Sequence, residues 1–311
     1  MAEWVKALAS NHGAISLGSP AALSGHIVSK RPEMLLQKRE VLISEGTDNL
    51  QVIADFDYTL SSFMVGGKRG STSHGVIENC DLLTTDYHIK ARALKKEYYP
   101  KEIDETLSME ERITFMEEWV EQAHDVLIEG GFTKDKLVSA VRDANIGLRD
   151  QHDDVFRILQ ERKIPLLVFS GGIANVLEEV VRQHSSHPLP DTAHVISNRM
   201  VFSEEGNLVA FAKQVFHVFN KHAKGVLHEP YFQSEEVKRR GNVLLLGDSL
   251  GDLHMSEGME ARQVLSVGFL NDRVDERLGS YLEAYDVVIL ADGDSGEASL
   301  AYVKELLLEM R

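Results

Sequence analysis

Val52-Ile-Ala-Asp-Phe-Asp-Tyr-Thr-Leu60 is the stretch on which the fold turns. Three apolar residues run into two aspartates at i and i+2, followed by Thr59 and Leu60. A short apolar run that ends in polar residues reads as a buried strand delivering carboxylates to its C-terminal end. Side chains alternate along a strand, so Asp55 and Asp57 face one way, toward one cleft. Crowded carboxylates repel unless a cation or a shared proton relieves them. The spacing suits a metal-assisted reaction in which one aspartate attacks and the other handles protons. Taken alone, the motif is equally a strand end with two solvated aspartates at a turn.

Further along, Leu166-Leu-Val-Phe-Ser170, His194-Val-Ile-Ser197 and Asn242-Val-Leu-Leu-Leu-Gly-Asp248 read as strands, as do residues 264–270 and 286–290. Residues 200–211, turning at Glu204-Glu-Gly-Asn207, read as a hairpin. Helices are expected over about 20–45, 153–162, 174–184 and 235–240, between the last two strands, and at the C-terminus. The clearest spans 109–128. It opens on the capping-box pattern Ser108-Met-Glu-Glu111 and ends at Gly130-Gly131. Met109, Ile113, Met116, Val120, Ala123 and Leu127 form its apolar stripe.

Strands alternating with helices imply an α/β fold with a doubly wound, mostly parallel sheet. In such sheets the site lies outside the C-terminal strand ends, where strand order reverses. Asp55, Ser170 and Asp248 each fall at such an end. Gly66, Gly67 and Gly70 break regularity after the first strand, and the following residues are mostly helical. The expected organisation is a partly helical N-terminal extension (1–45), an α/β core (46–63 and 151–311) and a helical cap domain (64–150) inserted over the site. Residues 1–20 are expected to be loosely ordered.

The 311 residues allow a full core and about two domains. Lys and Arg number 33 against 49 Asp and Glu, a net charge of −16. So acidic a surface argues against nucleic acid or an anionic membrane as a partner. A phosphate-bearing substrate then needs local help from a lysine, a helix N-terminus or a metal. Cys80, the one cysteine, excludes an intrachain disulfide and fits a reducing compartment. There is no apolar run near the roughly 20 residues that span a bilayer, and no secretory signal pattern. A cytoplasmic protein, monomeric or weakly oligomeric, is expected.

Four polar signals share one rim: Asp55 and Asp57, Ser170-Gly-Gly172, Lys221 in Phe219-Asn-Lys221, and Gly247-Asp-Ser-Leu-Gly-Asp252. Together, in this order and split by a cap, they resemble motifs I to IV of the haloacid dehalogenase (HAD) superfamily of phosphatases. The similarity goes further. Asp48-Asn-Leu-Gln-Val-Ile-Ala54, Tyr98-Tyr-Pro-Lys-Glu102, Phe169-Ser-Gly-Gly-Ile173, His217-Val-Phe-Asn-Lys221 and Gly268-Phe-Leu-Asn-Asp-Arg-Val274 look like cytosolic 5′-nucleotidase III. That pyrimidine 5′-nucleotidase family has relatives that take 7-methylguanosine monophosphate. The resemblance runs from about residue 50 to the C-terminus.

It implies a Mg²⁺-dependent 5′-nucleotidase acting on CMP, UMP or 7-methyl-GMP through an aspartyl-phosphate. Asp55 would be the nucleophile. Asp57 would protonate the leaving 5′-oxygen and then act as base on water. Asp55, the backbone carbonyl of Asp57, and Asp248 would hold Mg²⁺. Asp252 would ligate through water, orient a neighbour, or cap a helix. Ser170 and the Gly171 amide would bind phosphoryl oxygens, and Lys221 would neutralise charge shared by phosphate and Asp55. Lys213 is the competing lysine on spacing alone. In the cap, Glu102 would read the base edge and Trp119 would either stack on the base or pack in the core.

Some positions depart from the family pattern: Ala123 where a serine near the base is common, Val120 where an aromatic is common, and Gly171 where alanine is commoner. The rival readings are a HAD phosphatase of another small phosphomonoester, a nucleoside phosphotransferase, and a non-catalytic nucleotide-binding protein. The intact Asp55, Asp57, Lys221 and Asp248 argue against the last.

Overall fold

A computed structural model describes residues 15–18, 26–104, 106–291 and 298–311. Its strands are β1 (Ile15–Gly18), β2 (His26–Ser29), β3 (Leu50–Ala54), β4 (Met64–Val65), β5 (Lys68–Arg69) and β6 (Leu166–Ile173). They continue with β7 (Ala193–Asn198), β8 (Met200–Phe202), β9 (Leu208–Phe211), β10 (Asn242–Gly247), β11 (Gln263–Leu270) and β12 (Val287–Leu290). The helices are α1 (Pro32–Glu45), α2 (Ser73–Glu78), α3 (Thr85–Glu102), α4 (Met109–Glu129), α5 (Lys134–Asp143), α6 (His152–Glu161) and α7 (Ala174–His184). Single turns α8 (Ala223–Val226), α9 (Pro230–Gln233) and α10 (Glu235–Lys238) precede α11 (Val274–Ala284) and α12 (Ala301–Glu309).

Eight strands form one sheet in the order β1-β2-β12-β11-β10-β3-β6-β7. From β12 through β7 every pairing is parallel. From β3 the chain runs outward to β6 and β7, then returns to lay β10 along the other side of β3. The direction of winding therefore reverses between β3 and β10, which opens a crevice at their C-terminal ends. A parallel sheet must be covered on both faces, and alternation along β3 serves both. Val52 and Ala54 join one buried cluster with Leu42 of α1 and Phe156 of α6. Ile53 joins the other, with Leu245 and with Leu278 and Tyr281 of α11.

The expected α/β class and mostly parallel sheet are therefore present, and the strands foreseen in the core form with small shifts of boundary. The 200–211 hairpin forms as β8 and β9. The N-terminal segment differs. The apolar spacing predicts a helix over 20–45, but Ile27 and Val28 lie in β2, paired antiparallel with β12, and the helix begins only at Pro32. Two adjacent β-branched residues fit a strand buried on both faces better than a helix; all four β2 residues are buried. Most of the stretch read as loosely ordered, and residues 20–25 of the expected helix, lie outside the described residues.

Helices α2 to α5 lie between β3 and β6 in the chain. α4 starts at the capping box: Glu111 N–H donates to Ser108 Oγ at 3.3 Å, and Ser108 N–H donates to Glu111 Oε2 at 2.9 Å. Its stripe is buried at Met116 and Leu127, whereas Met109, in the first turn, is 54% exposed. The segments that leave and re-enter the sheet run side by side. Ser62 N–H bonds Gly147 O, Ser71 N–H bonds Asn145 O and Arg149 N–H bonds Leu60 O, at 2.8–2.9 Å.

Candidate active site

Asp55 follows β3 directly, and its N–H donates to Leu246 O of β10 at 3.0 Å. The first aspartate is thereby fixed beside the strand that ends in Gly247-Asp248. Lys221, from the segment after the hairpin, reaches the same point. Its Nζ lies 2.6 Å from Asp55 Oδ1 and 2.7 Å from Asp252 Oδ1, with all three side chains buried. Asp252 Oδ2 accepts from the Asp248 and Ser249 amides at 3.0 and 2.9 Å and from Ser249 Oγ at 2.9 Å. Asp252 therefore caps the turn after β10, one of the roles foreseen for it, while its other oxygen faces Lys221.

Asp55, Asp248 and Asp252 bring carboxylate oxygens within 4.8 Å of one another. Burial, Asp252 and Asp57 push the Asp55 carboxyl up to about 7 against the opposing pull of Lys221. Burial, then Asp252 and Asp55, raise Asp248 well above the usual carboxylate range. Burial works against the Lys221 charge, but Asp252 and Asp55 together raise it above the ordinary lysine value. Three carboxylates thus face one ammonium, an imbalance that a divalent cation would relieve. The donors are all oxygens, as a hard ion prefers.

The Asp57 carboxylate lies outside this cluster. Its Oδ1 accepts from Ser73 N–H and its Oδ2 from Ser73 Oγ–H, both at 2.7 Å. Burial raises its carboxyl, and the two Ser73 bonds work the other way. The next residue, Tyr58, has φ +61°. That left-handed turn swings the chain away from the sheet.

Ser170 is buried within β6, and its Oγ accepts from Gly172 N–H at 3.1 Å. Asn198 at the end of β7 donates to Gly171 O and Gly172 O at 2.9 and 3.0 Å, and exchanges two bonds with Phe216. One buried amide thus joins the Ser170 loop to the segment leading to Lys221. A Cβ on Gly171 would lie 3.3 Å from His217 Cα, so alanine would be tight here. Lys213, the competing lysine, is exposed, and Lys221 is the one at Asp55.

Glu102 ends α3. Burial raises its carboxyl, with Arg112 opposing, and Arg112 Nη2 donates to its backbone O at 2.7 Å. Arg112 in turn stacks on Phe219, two residues before Lys221, at 4.2 Å. Trp119 stacks on Tyr98 at 6.2 Å and, with His74, Tyr87, Ala123, His124 and Ile173, walls a small cavity of about 30 Å³. Glu102 does not line it. A roomier cavity of about 320 Å³ opens around Gln51, Phe232, Arg240 and Met259, at the N-terminal ends of the central strands and away from the crevice. The Gln51 amide and the Arg240 guanidinium there are already hydrogen-bonded to protein.

Two side chains of the site went unread in the sequence. Ser73 sits in the Ser71-Thr-Ser73 run, a pattern that signals a helix start, and Thr72 does cap α2. The same pattern says nothing of Asp57. Arg149, with no sequence signal, is fully buried. Its guanidinium bonds the Thr59 carbonyl at 2.8 Å, the Tyr58 and Ala298 carbonyls, and Asn271 Oδ1 at 3.0 Å, and lies over Phe269.

A mostly parallel sheet whose reversal point brings Asp55 and Asp248 beside a buried lysine is the HAD-like arrangement that the resemblance in the sequence implies. Comparison narrows the class. The model of the pyrimidine 5′-nucleotidase (UMPH-1) family matches residues 58–307, and the chain belongs to that family. It is 40% identical over 263 residues to the 7-methylguanosine phosphate-specific 5′-nucleotidase A of Xenopus laevis, covering 84% of this chain and 89% of that one. The human 7-methylguanosine phosphate-specific 5′-nucleotidase is 38% identical over 268 residues, 86% and 88% of the two chains. The crystal structure of cytosolic 5′-nucleotidase IIIB bound to cytidine superposes with a TM-score of 0.78 at 26% identity, over 91% of this chain and 92% of that one. Among the described residues, no helix is long and apolar enough to cross a membrane.

Proposed function

We propose that this protein hydrolyses nucleoside 5′-monophosphates, pyrimidine nucleotides such as CMP and UMP or 7-methyl-GMP, to nucleoside and phosphate. The observation that carries the reading is the meeting of Asp55, Lys221, Asp248 and Asp252 at the β3/β10 crevice. Asp55 is the nucleophile: its oxygen bonds to phosphorus as the P–O5′ bond breaks, giving an aspartyl-phosphate. Asp57 gives its proton to the departing 5′-oxygen. It then takes one from the water whose oxygen attacks phosphorus and frees Asp55. Lys221 holds charge shared by Asp55 and the phosphoryl group. Ser170 and the Gly171 amide bind phosphoryl oxygens where glycine lets the backbone approach. Asp55 and Asp248, with the Asp57 backbone carbonyl and with Asp252 at hand, would hold Mg²⁺, whose charge lets two anions approach.

Helices α2 to α5 act as a cap that reads the base. Glu102 offers an acceptor to a polar base edge, and Trp119 offers a stacking face. The cavity beside Trp119 is far smaller than a nucleobase, so a base that stacked on Trp119 from this side would need its walls to part. A cytoplasmic setting accords with the buried, unpaired Cys80.

Phosphate release should be measured across the monophosphates of C, U, T, A, G and 7-methylguanine, with and without Mg²⁺. Turnover confined to the pyrimidine and 7-methylguanine compounds, and dependent on the ion, is expected. Equal or negligible release from all of them would remove the substrate assignment.

A further inference from the structure

We infer that Ser73 is the positioning residue for Asp57, and that it aims the acid of the first half-reaction from the threshold of the helical insertion. The inference rests on the role given above to Asp57 and goes beyond it. Ser73 is fully buried and engages both carboxylate oxygens, its amide on Oδ1 and its hydroxyl on Oδ2, each at 2.7 Å. A carboxylate held at two points from one residue loses rotation about both of its side-chain torsions. The hydroxyl is itself anchored, because Ser73 Oγ accepts from Ile173 N–H at 3.3 Å. Asp57 is thus tied through Ser73 to the end of β6, the strand that carries Ser170.

Gly172 supports the same arrangement from the other side. A Cβ there would come within 1.9 Å of Ser73 Oγ and 3.0 Å of Asp57 Oδ2. The glycine keeps open the space that the serine hydroxyl fills. In the first half-reaction Asp57 releases its proton to the 5′-oxygen as Asp55 bonds to phosphorus. In the second it takes one from water as the Asp55–phosphorus bond breaks. Ser73 keeps its own proton throughout and fixes where the Asp57 oxygens stand. A misplaced acid matters most for a poor leaving group, since a nucleoside alkoxide needs the proton and a nitrophenolate leaves without one.

The test compares CMP and p-nitrophenyl phosphate as substrates for the wild-type enzyme, Ser73→Ala, Ser73→Cys and Asp57→Asn, with thermal melting as a check on folding. Ser73→Ala should lose roughly 10- to 100-fold in kcat on CMP with KM within about 2-fold. On p-nitrophenyl phosphate it should show a pre-steady-state burst of about one nitrophenolate per site ahead of slow turnover. Ser73→Cys, which keeps the volume and a weak donor, should recover part of the CMP rate. Equal losses on both substrates and no burst in Ser73→Ala and Ser73→Cys, while Asp57→Asn shows the leaving-group difference, would overturn the positioning role alone. No leaving-group difference in Asp57→Asn would overturn the role of Asp57, and this inference with it.

Discussion

Lys221 Nζ stands 2.6 Å from Asp55 Oδ1 although 166 residues separate the two in the chain, and both side chains are buried. The ammonium also meets Asp252 at 2.7 Å. It is the positive charge in contact with the crowded carboxylates, and the segment carrying it is anchored through Asn198 to the Ser170 loop.

Lys221→Met should therefore abolish most activity while leaving the fold in place at saturating Mg²⁺. Removing a preorganised charge from a buried phosphoryl-transfer site lowers kcat by roughly 10²- to 10³-fold. Steady-state assays on CMP check this, and a loss below about tenfold would move the lysine out of the reaction.

A divalent ion that binds the folded protein must stabilise it by mass action. Millimolar Mg²⁺ should raise the melting temperature of the wild-type protein, and chelator should reverse the shift. Asp248→Asn, which removes one charge from the three-carboxylate group, should lose most of the shift. A shift of undiminished size in that variant would exclude Asp248 from the site.

Burial pushes His124 down to about 3 and His217 to about 4, from the ordinary 6.5 or so. A depressed histidine stays neutral in the folded state while the unfolded chain takes up the proton. Its contribution to stability is thus full above about pH 6.5 and is lost as the pH falls below that value. At about 1.4 kcal/mol per pH unit, His124 alone should account for about 2 kcal/mol of the loss between pH 6.5 and 5. His124→Phe keeps the stack on Phe211, whose ring centre lies 3.6 Å away. Denaturant titrations should show its stability falling less steeply with acid than the wild type's.

Much of this was legible in the sequence, for a local reason. β3, β6 and β10 are apolar runs that stop at a polar residue, so both the strand and its functional end can be read within eight residues. Ile27 and Val28 misled because apolar spacing in a short segment suits either period; only the presence of β12 decides for a strand. Ser73 and Arg149 were silent because their meaning lies in partners 16 and about 90 residues away. A serine in a loop and an arginine before an aspartate are ordinary in any chain.

Arg149 makes that long-range dependence measurable. Replacing it with Leu leaves the Thr59 and Ala298 carbonyls without that donor, while the Tyr58 carbonyl keeps the Asn271 amide at 3.0 Å. At about 1–3 kcal/mol for each of the two buried groups left unpaired, equilibrium unfolding should show a loss of about 2 kcal/mol or more. Arg149→Lys, which keeps the charge but not the planar fork, should recover only part of it. Full stability in Arg149→Leu would show that the turn after Asp57 is held by other contacts.

The proposed reaction requires an Asp55 oxygen to bond phosphorus. Acid quenching of the enzyme during turnover of CMP, followed by peptide mass spectrometry, tests it directly. One phosphoryl group should appear on the peptide containing Asp55, be removed by hydroxylamine, and accumulate when Asp57 is replaced by Asn and p-nitrophenyl phosphate is the substrate. A phosphoryl group on any other residue, or none at all while turnover continues, would rule out Asp55 as the nucleophile.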